Sequence, residues 1–170
     1  MKIAICWAHG VWKTTISKII SEKYSLKILP DIVVDAYKMW LEINENTPIE
    51  TQVWLVGKQF ENEKINLDFV ADKCIFDYYV YAKVLGMDKD VVEMAKKIAL
   101  KTYNYDYIFY INPEFPIEDD WIRSTNVEFQ KWIDEFYEKF LVENNIKFTK
   151  ISWNIENRKN QIIFDIPNTN

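Results

Sequence analysis

Residues 2–15, Lys2-Ile3-Ala4-Ile5-Cys6-Trp7-Ala8-His9-Gly10-Val11-Trp12-Lys13-Thr14-Thr15, decide how the rest of the chain is read. The short apolar run up to Cys6 reads as a buried strand. From Lys13 to about Tyr24, Ile16, Ile19 and Ile20 recur at helical spacing with Lys18, Glu22 and Lys23 opposite, which predicts an amphipathic helix. Between strand and helix, Trp7 to Thr14 has the span and the Lys-Thr ending of the pattern G-x-x-x-x-G-K-[ST]. In such a loop backbone N–H groups wrap phosphates, the lysine reaches the outer phosphates and the hydroxyl holds magnesium. Lys13 is therefore a candidate catalytic residue and Thr14 a candidate magnesium ligand. The backbone of His9, Gly10, Val11, Trp12, Lys13, Thr14 and Thr15 is the candidate phosphate cradle. His9, the only histidine, reads as a loop residue whose N–H faces phosphate and whose imidazole points away. Trp7 and Trp12 stand where the pattern requires glycine, once for a tight turn and once for close approach of backbone to phosphate.

Downstream, strand and helix signals alternate. Leu26 to Leu29 is a strand stopped by Pro30, and Asp31 to Leu41 reads as a helix, with Ile32-Val33-Val34 also compatible with more strand. Thr47-Pro48-Ile49-Glu50 is a helix start, with the hydroxyl as cap and proline at the first helical position; this helix reaches about Lys64. Asp68 to Asp72 is a third strand, followed by a helix that ends at Gly86. Asp88 caps the next helix, to about Thr102. Asp106 to Ile111 is a strand of aromatic and β-branched residues. Asn112 to Thr125 is a long loop, and Asn126 caps an amphipathic helix to about Glu143. Lys147 to Ser152 is the last strand and Glu156 to Ile166 the last helix. This alternation predicts an α/β fold with a five-stranded parallel sheet and helices on both faces, a P-loop NTPase architecture. It forms a single domain over residues 1–166, with a disordered tail at 167–170.

Ligands of such sheets sit beyond the carboxyl ends of the strands, so residues that follow strands are the next candidates. Asp72, after the third strand, is placed to hold magnesium directly or through water, or else to cap the following helix. Asp31, after the second strand, is placed to accept the proton of an acceptor hydroxyl, or again to cap a helix. Arg123, in the acidic loop Glu118 to Ser124, can swing onto a transferring phosphoryl group or stay in a solvated ion-pair loop. Arg158, after the last strand, is placed to flank an adenine ring.

Composition limits the alternatives. In a chain of 170 residues a net charge of −5 argues against a nucleic-acid surface. No apolar run approaches a membrane span and no signal peptide precedes the first strand, so a cytoplasmic location is expected. Cys6 and Cys74 have no Cys or His at metal-ligand spacing and read as buried thiols. Glycine is scarce, at 3 residues against an average of about 7 %. Five of the seven tryptophans, Trp7, Trp12, Trp40, Trp121 and Trp153, lie in segments that read as loops or element ends, where glycine is the usual punctuation.

Taken in order, these blocks resemble the P-loop AAA-type ATPase and kinase-like domains related to the ribosylnicotinamide kinase domain of the bacterial NAD regulator. They resemble deoxynucleoside and thymidylate kinases more distantly. The resemblance runs through Leu29-Pro30-Asp31, Gln59 to Glu63, Val70 to Asp77, Tyr105 to Tyr110, Asp119 to Ser124 and Ile151-Ser152-Trp153. Members of that group have glycine at positions matching Trp7 and Trp12 and commonly at Trp121 and Trp153, often glutamate at Asp31, and arginine at Lys73. The resemblance implies ATP and magnesium as cofactors and a nucleoside-like or other small hydroxyl compound as acceptor.

Three functional accounts stay open from the sequence. The chain is a kinase whose tryptophans at glycine-like places reflect a UGA codon decoded as tryptophan where its cell inserts glycine. Alternatively, the tryptophans are genuine and the domain is a binding scaffold with an impaired nucleotide site. Thirdly, it is an ATPase switch that reports nucleotide state through Arg123.

Overall fold

The computed structural model describes residues 1–6, 13–43, 46–111, 126–152 and 154–166. Five strands, β1 (Lys2–Cys6), β2 (Lys27–Leu29), β3 (Phe69–Ala71), β4 (Tyr107–Ile111) and β5 (Thr149–Ile151), form one sheet in the order β2-β3-β1-β4-β5. Every pairing is parallel. The helices are α1 (Lys13–Tyr24), α2 (Val33–Lys38), α3 (Ile49–Ile65), α4 (Ile75–Val84), α5 (Lys89–Thr102), α6 (Val127–Glu143) and α7 (Ile155–Asp165). The step from β1 to β2 crosses the sheet in the opposite direction to the later steps, so right-handed connections put α1 and the helices α3 to α6 on opposite faces. Packing agrees: α1 meets α7, whereas α3, α4, α5 and α6 pack among themselves.

β1 lies at the centre of the sheet, and Ile3, Ala4, Ile5 and Cys6 are completely buried, as expected of a parallel strand covered on both faces. α4 is nearly as enclosed, with Ile75, Phe76, Tyr78, Tyr79, Val80 and Ala82 buried. Its Phe76 ring meets Tyr103, Tyr105 and Phe140 edge-on at centroid distances of 4.9–5.6 Å, an arrangement that aromatic quadrupoles favour. A helix apolar on almost every side belongs inside a helical layer, and α4 sits between α3, α5 and α6.

The element ends follow local chemistry. Asn126 caps α6 by accepting from the N–H groups of Glu128 and Phe129, and Asp88 caps α5 through Asp90 N–H at 2.9 Å. α3 starts at Ile49, with Pro48 in extended conformation at its N-cap and no side-chain cap. This is one residue later than the hydroxyl-cap reading of Thr47 placed it. The segment after Pro30 is helical only over Val33–Lys38, so the strand alternative for Ile32-Val33-Val34 is not realised. The loop 112–125 and the tail 167–170 lie outside the described residues.

Candidate active site

Three strands deliver residues to one end of the sheet. Thr14, in the first turn of α1, donates its hydroxyl to Asp72 Oδ2 at 2.8 Å. Asp72 follows β3, and its own N–H donates to Leu29 O at the end of β2, 2.9 Å away. Its carboxylate is thus fixed where β1, β2 and β3 end. The other oxygen, Asp72 Oδ1, is buried and has no hydrogen-bond partner among the described residues. Asp72 does not cap α4: the cap position is Cys74, whose N–H donates to Asp77 Oδ2 at 2.7 Å. A buried carboxylate with one unsatisfied oxygen beside a hydroxyl is a pair of hard donors. It suits a cation such as magnesium, which takes one or two protein oxygens and completes its shell with water and phosphate. Among the described residues no group of three or more His, Cys, Asp or Glu side chains converges on a metal site.

Next to this pair, Asp31 holds two relationships at once. Its Oδ1 accepts from the N–H of Val33, the first residue of α2, at 3.0 Å, and its Oδ2 lies 3.7 Å from Lys73 Nζ. Both side chains are 4 % exposed. The ammonium of Lys73 also lies 4.4 Å from the ring centroid of Tyr81 and 5.5 Å from that of Tyr78, so the cation is held by a carboxylate and two aromatic faces. Burial, with Asp31 and Asp77 near, holds the Tyr78 phenol well above its ordinary range, so it remains a neutral donor. The Tyr78 hydroxyl, Thr51 Oγ1 and Gln59 Oε1 are buried without a hydrogen-bond partner among the described residues, which leaves donor and acceptor capacity for a polar ligand or water.

A second buried network fixes the turn that carries Asp72 and Lys73. Gln59 Nε2 donates to Lys73 O at 2.9 Å and to Glu63 Oε1 at 2.8 Å. Glu63 also accepts from Ile75 N–H at 3.0 Å and from the Tyr105 hydroxyl at 2.7 Å. Burial lifts the Glu63 carboxyl to about 6 against these three hydrogen bonds, with Asp77 adding to the rise. Cys6 and Cys74, both buried and reduced, touch at 3.4 Å between sulfurs, and burial raises the Cys74 thiol well above its ordinary range.

Of the candidates named from sequence, Thr14, Asp72 and Asp31 converge. Thr15, next in α1, is half-buried. His9, Gly10, Val11, Trp12 and Arg123 lie outside the described residues, as does the side chain of Lys13. Arg158, placed by the sequence beside an adenine ring, is buried at 1 % exposure on α7, which packs against α1 and β5. Sequence reasoning passed over Thr51, Gln52 and Tyr78. A signal existed: Thr51, Gln52, Gln59 and Glu63 share the buried stripe of α3 with Leu55 and Val56, and polar residues on an inward helical face require partners.

Residues 2–158 match the family model of the AAA domain. The chain belongs to this AAA domain family. No curated protein matches it. Among solved structures, the deoxyadenosine kinase of M. mycoides with bound dCTP superposes with a TM-score of 0.71 at 17 % identity, over 97 % of this chain and 98 % of that one. The NadR protein in complex with NAD and AMP-PNP gives a TM-score of 0.74 at 15 % identity, over 96 % of this chain and 47 % of NadR. This AAA domain therefore has the fold of P-loop kinase-like domains and corresponds to about half the length of NadR. Among the described residues no helix is long and apolar enough to cross a membrane.

Proposed function

We propose that this AAA domain transfers the terminal phosphoryl group of ATP, with magnesium, to a hydroxyl of a small nucleoside-like acceptor. The observation that carries the reading is the Thr14–Asp72 hydrogen bond beside the buried Asp31–Lys73 pair. One couple of oxygens suits a phosphate-bound cation, and one carboxylate with an adjacent cation suits an acceptor hydroxyl. Magnesium, when bound through Thr14 and Asp72, neutralises charge on the phosphates. Lys13 is assigned to the outer phosphates, and the backbone of His9, Gly10, Val11 and Trp12 to their cradle, on the sequence pattern. Asp31 orients the acceptor hydroxyl and takes its proton. In a loose phosphoryl-transfer transition state the proton leaves late, so a carboxylate paired with lysine is a sufficient base. Tyr78, Thr51 and Gln59 offer buried polar atoms to the acceptor, and Arg123 is assigned to transferring charge. The described neighbours support the choice of acceptor, since one is a deoxyadenosine kinase and NadR was also solved with NR.

The test is a phosphoryl-transfer assay with magnesium-ATP against a panel of ribo- and deoxynucleosides and ribosylnicotinamide. A phosphorylated product that disappears with Asp31→Asn is expected. Phosphate release at the same rate without any acceptor replaces the kinase reading with the switch ATPase. Failure to bind magnesium-ATP both in the chain as written and with glycine at positions 7 and 12 favours the scaffold reading.

A further inference from the structure

Four helices end in the same way. After α1, α2, α4 and α6 one residue takes positive φ: Ser25 at 54°, Trp40 at 60°, Gly86 at 66° and Asn145 at 53°. At each, the next N–H reaches back five residues: Leu26 to Ser21 O, Leu41 to Ala36 O, Met87 to Ala82 O and Ile146 to Leu141 O, all at 3.0–3.1 Å. For three of them, the positive-φ residue also donates to the carbonyl three residues back, Trp40 to Tyr37, Gly86 to Lys83 and Asn145 to Val142. This is the Schellman closure, whose left-handed position is taken by glycine and less often by asparagine. Three occupants are the small or polar residues that tolerate this conformation. The fourth is an indole, 95 % exposed, so no packing offsets the clash between its Cβ and the backbone.

We propose that the protein made by its own cell carries glycine at position 40, and by the same event at positions 7 and 12, because these tryptophans are UGA codons that the cell reads as glycine. UGA stands one base from the glycine codon GGA and is decoded as tryptophan in some genetic codes and glycine in others. The backbone at Trp40 and the motif at Trp7 and Trp12 are independent observations, one conformational and one a matter of spacing, and both ask for glycine. Trp54, half-buried against the core in α3, and Trp132 in α6 stand inside helices, where glycine weakens the element; these two are UGG codons. With glycine at 7 and 12 the loop satisfies G-x-x-x-x-G-K-[ST] completely, so its backbone can close on phosphate. That consequence rests on the proposed phosphoryl transfer, whereas the residue assignment does not.

The test is the codon sequence of the gene together with tryptic peptide masses of the protein isolated from its source. Expected are UGA at positions 7, 12 and 40 and UGG at 54 and 132. Peptide Ile3–Lys13 should be lighter by two tryptophan-to-glycine exchanges, and peptide Met39–Lys58, which holds Trp40 and Trp54, by one. UGG at position 40, or peptides at full tryptophan mass, overturns the proposal and leaves Trp40 as a retained exposed indole. A recombinant chain carrying Trp7→Gly and Trp12→Gly, titrated with magnesium-ATP, then separates the two ideas. Binding that appears in this chain and not in its parent supports both. Glycine peptides together with no binding uphold the glycine assignment and overturn the phosphoryl-transfer reading.

Discussion

Thr14 and Asp72, 58 positions apart in the chain, are joined by a 2.8 Å hydrogen bond at the carboxyl end of the central strands. The hydroxyl enters from the first turn of α1 and the carboxylate from the end of β3, so the bond links the helix after the phosphate loop to the second strand-end acid. Asp72 uses one oxygen for this bond and keeps the other buried without a partner among the described residues.

That geometry predicts that Thr14→Ala and Asp72→Asn act on magnesium dependence more than on folding. Both substitutions are expected to raise the magnesium concentration needed for half-maximal nucleotide binding by roughly 10- to 100-fold. Titration of nucleotide binding at a series of magnesium concentrations, with far-UV circular dichroism as the folding control, checks this. An unchanged magnesium requirement in both variants removes the pair from the metal site.

The Asp31–Lys73 pair is buried on both sides, so breaking it from one side costs more than removing it. Lys73→Met leaves a carboxylate in the interior without its cation and is expected to cost about 3–5 kcal/mol. The double variant Asp31→Asn, Lys73→Met should recover part of that loss, a positive coupling in a double-mutant cycle measured by urea unfolding. Additive losses contradict direct pairing.

Glu63 gives the fold a pH signature. Its folded carboxyl titrates near 6 against an ordinary value of 4.5, so between these values the unfolded chain has released its proton while the native protein retains it. Stability from this group is therefore full below pH 4.5 and declines as pH rises through about 6, by about 2 kcal/mol. Glu63→Gln keeps the shape, cannot ionise, and should flatten that slope in urea unfolding followed from pH 4 to pH 7, a range set to bracket the two values.

Trp40 offers a prediction for the chain as written. Relieving a left-handed bulky residue gains about 1–2 kcal/mol, and the extra backbone freedom of glycine takes back about 0.5–1. Trp40→Gly should thus stabilise the recombinant protein by about 0–1.5 kcal/mol, whereas Trp40→Ala, which retains a Cβ at φ 60°, should gain less. Thermal unfolding of the three chains checks the order.

Much of the fold was legible because its signals are local. The start of α1 at Lys13, the caps at Asp88 and Asn126 and the glycine stop after α4 are each written within one or two turns of the chain. Position relative to strand ends likewise flagged Thr14, Asp31 and Asp72 without coordinates. Thr51, Gln52 and Tyr78 were not legible in this way, because a polar residue in a helical pattern looks the same whether it faces solvent or a neighbouring helix.

Strand-helix alternation and the loop between Cys6 and Lys13 determined from sequence the parallel sheet, the end of it where a ligand is expected and the phosphate chemistry to expect there. Only the tertiary structure decided how the carboxylates are used. It showed that Asp72 points to Thr14 and does not cap α4, that Asp31 is shared between Val33 N–H and Lys73, and that Gln59 and Glu63 hold the turn between them. It also showed that Trp40 occupies a left-handed cap. The division has a physical cause. Helix periodicity and caps arise from neighbours a few residues apart, whereas the partner of a buried charge is set by which strands lie side by side, and the order β2-β3-β1 brings together residues far apart in the chain.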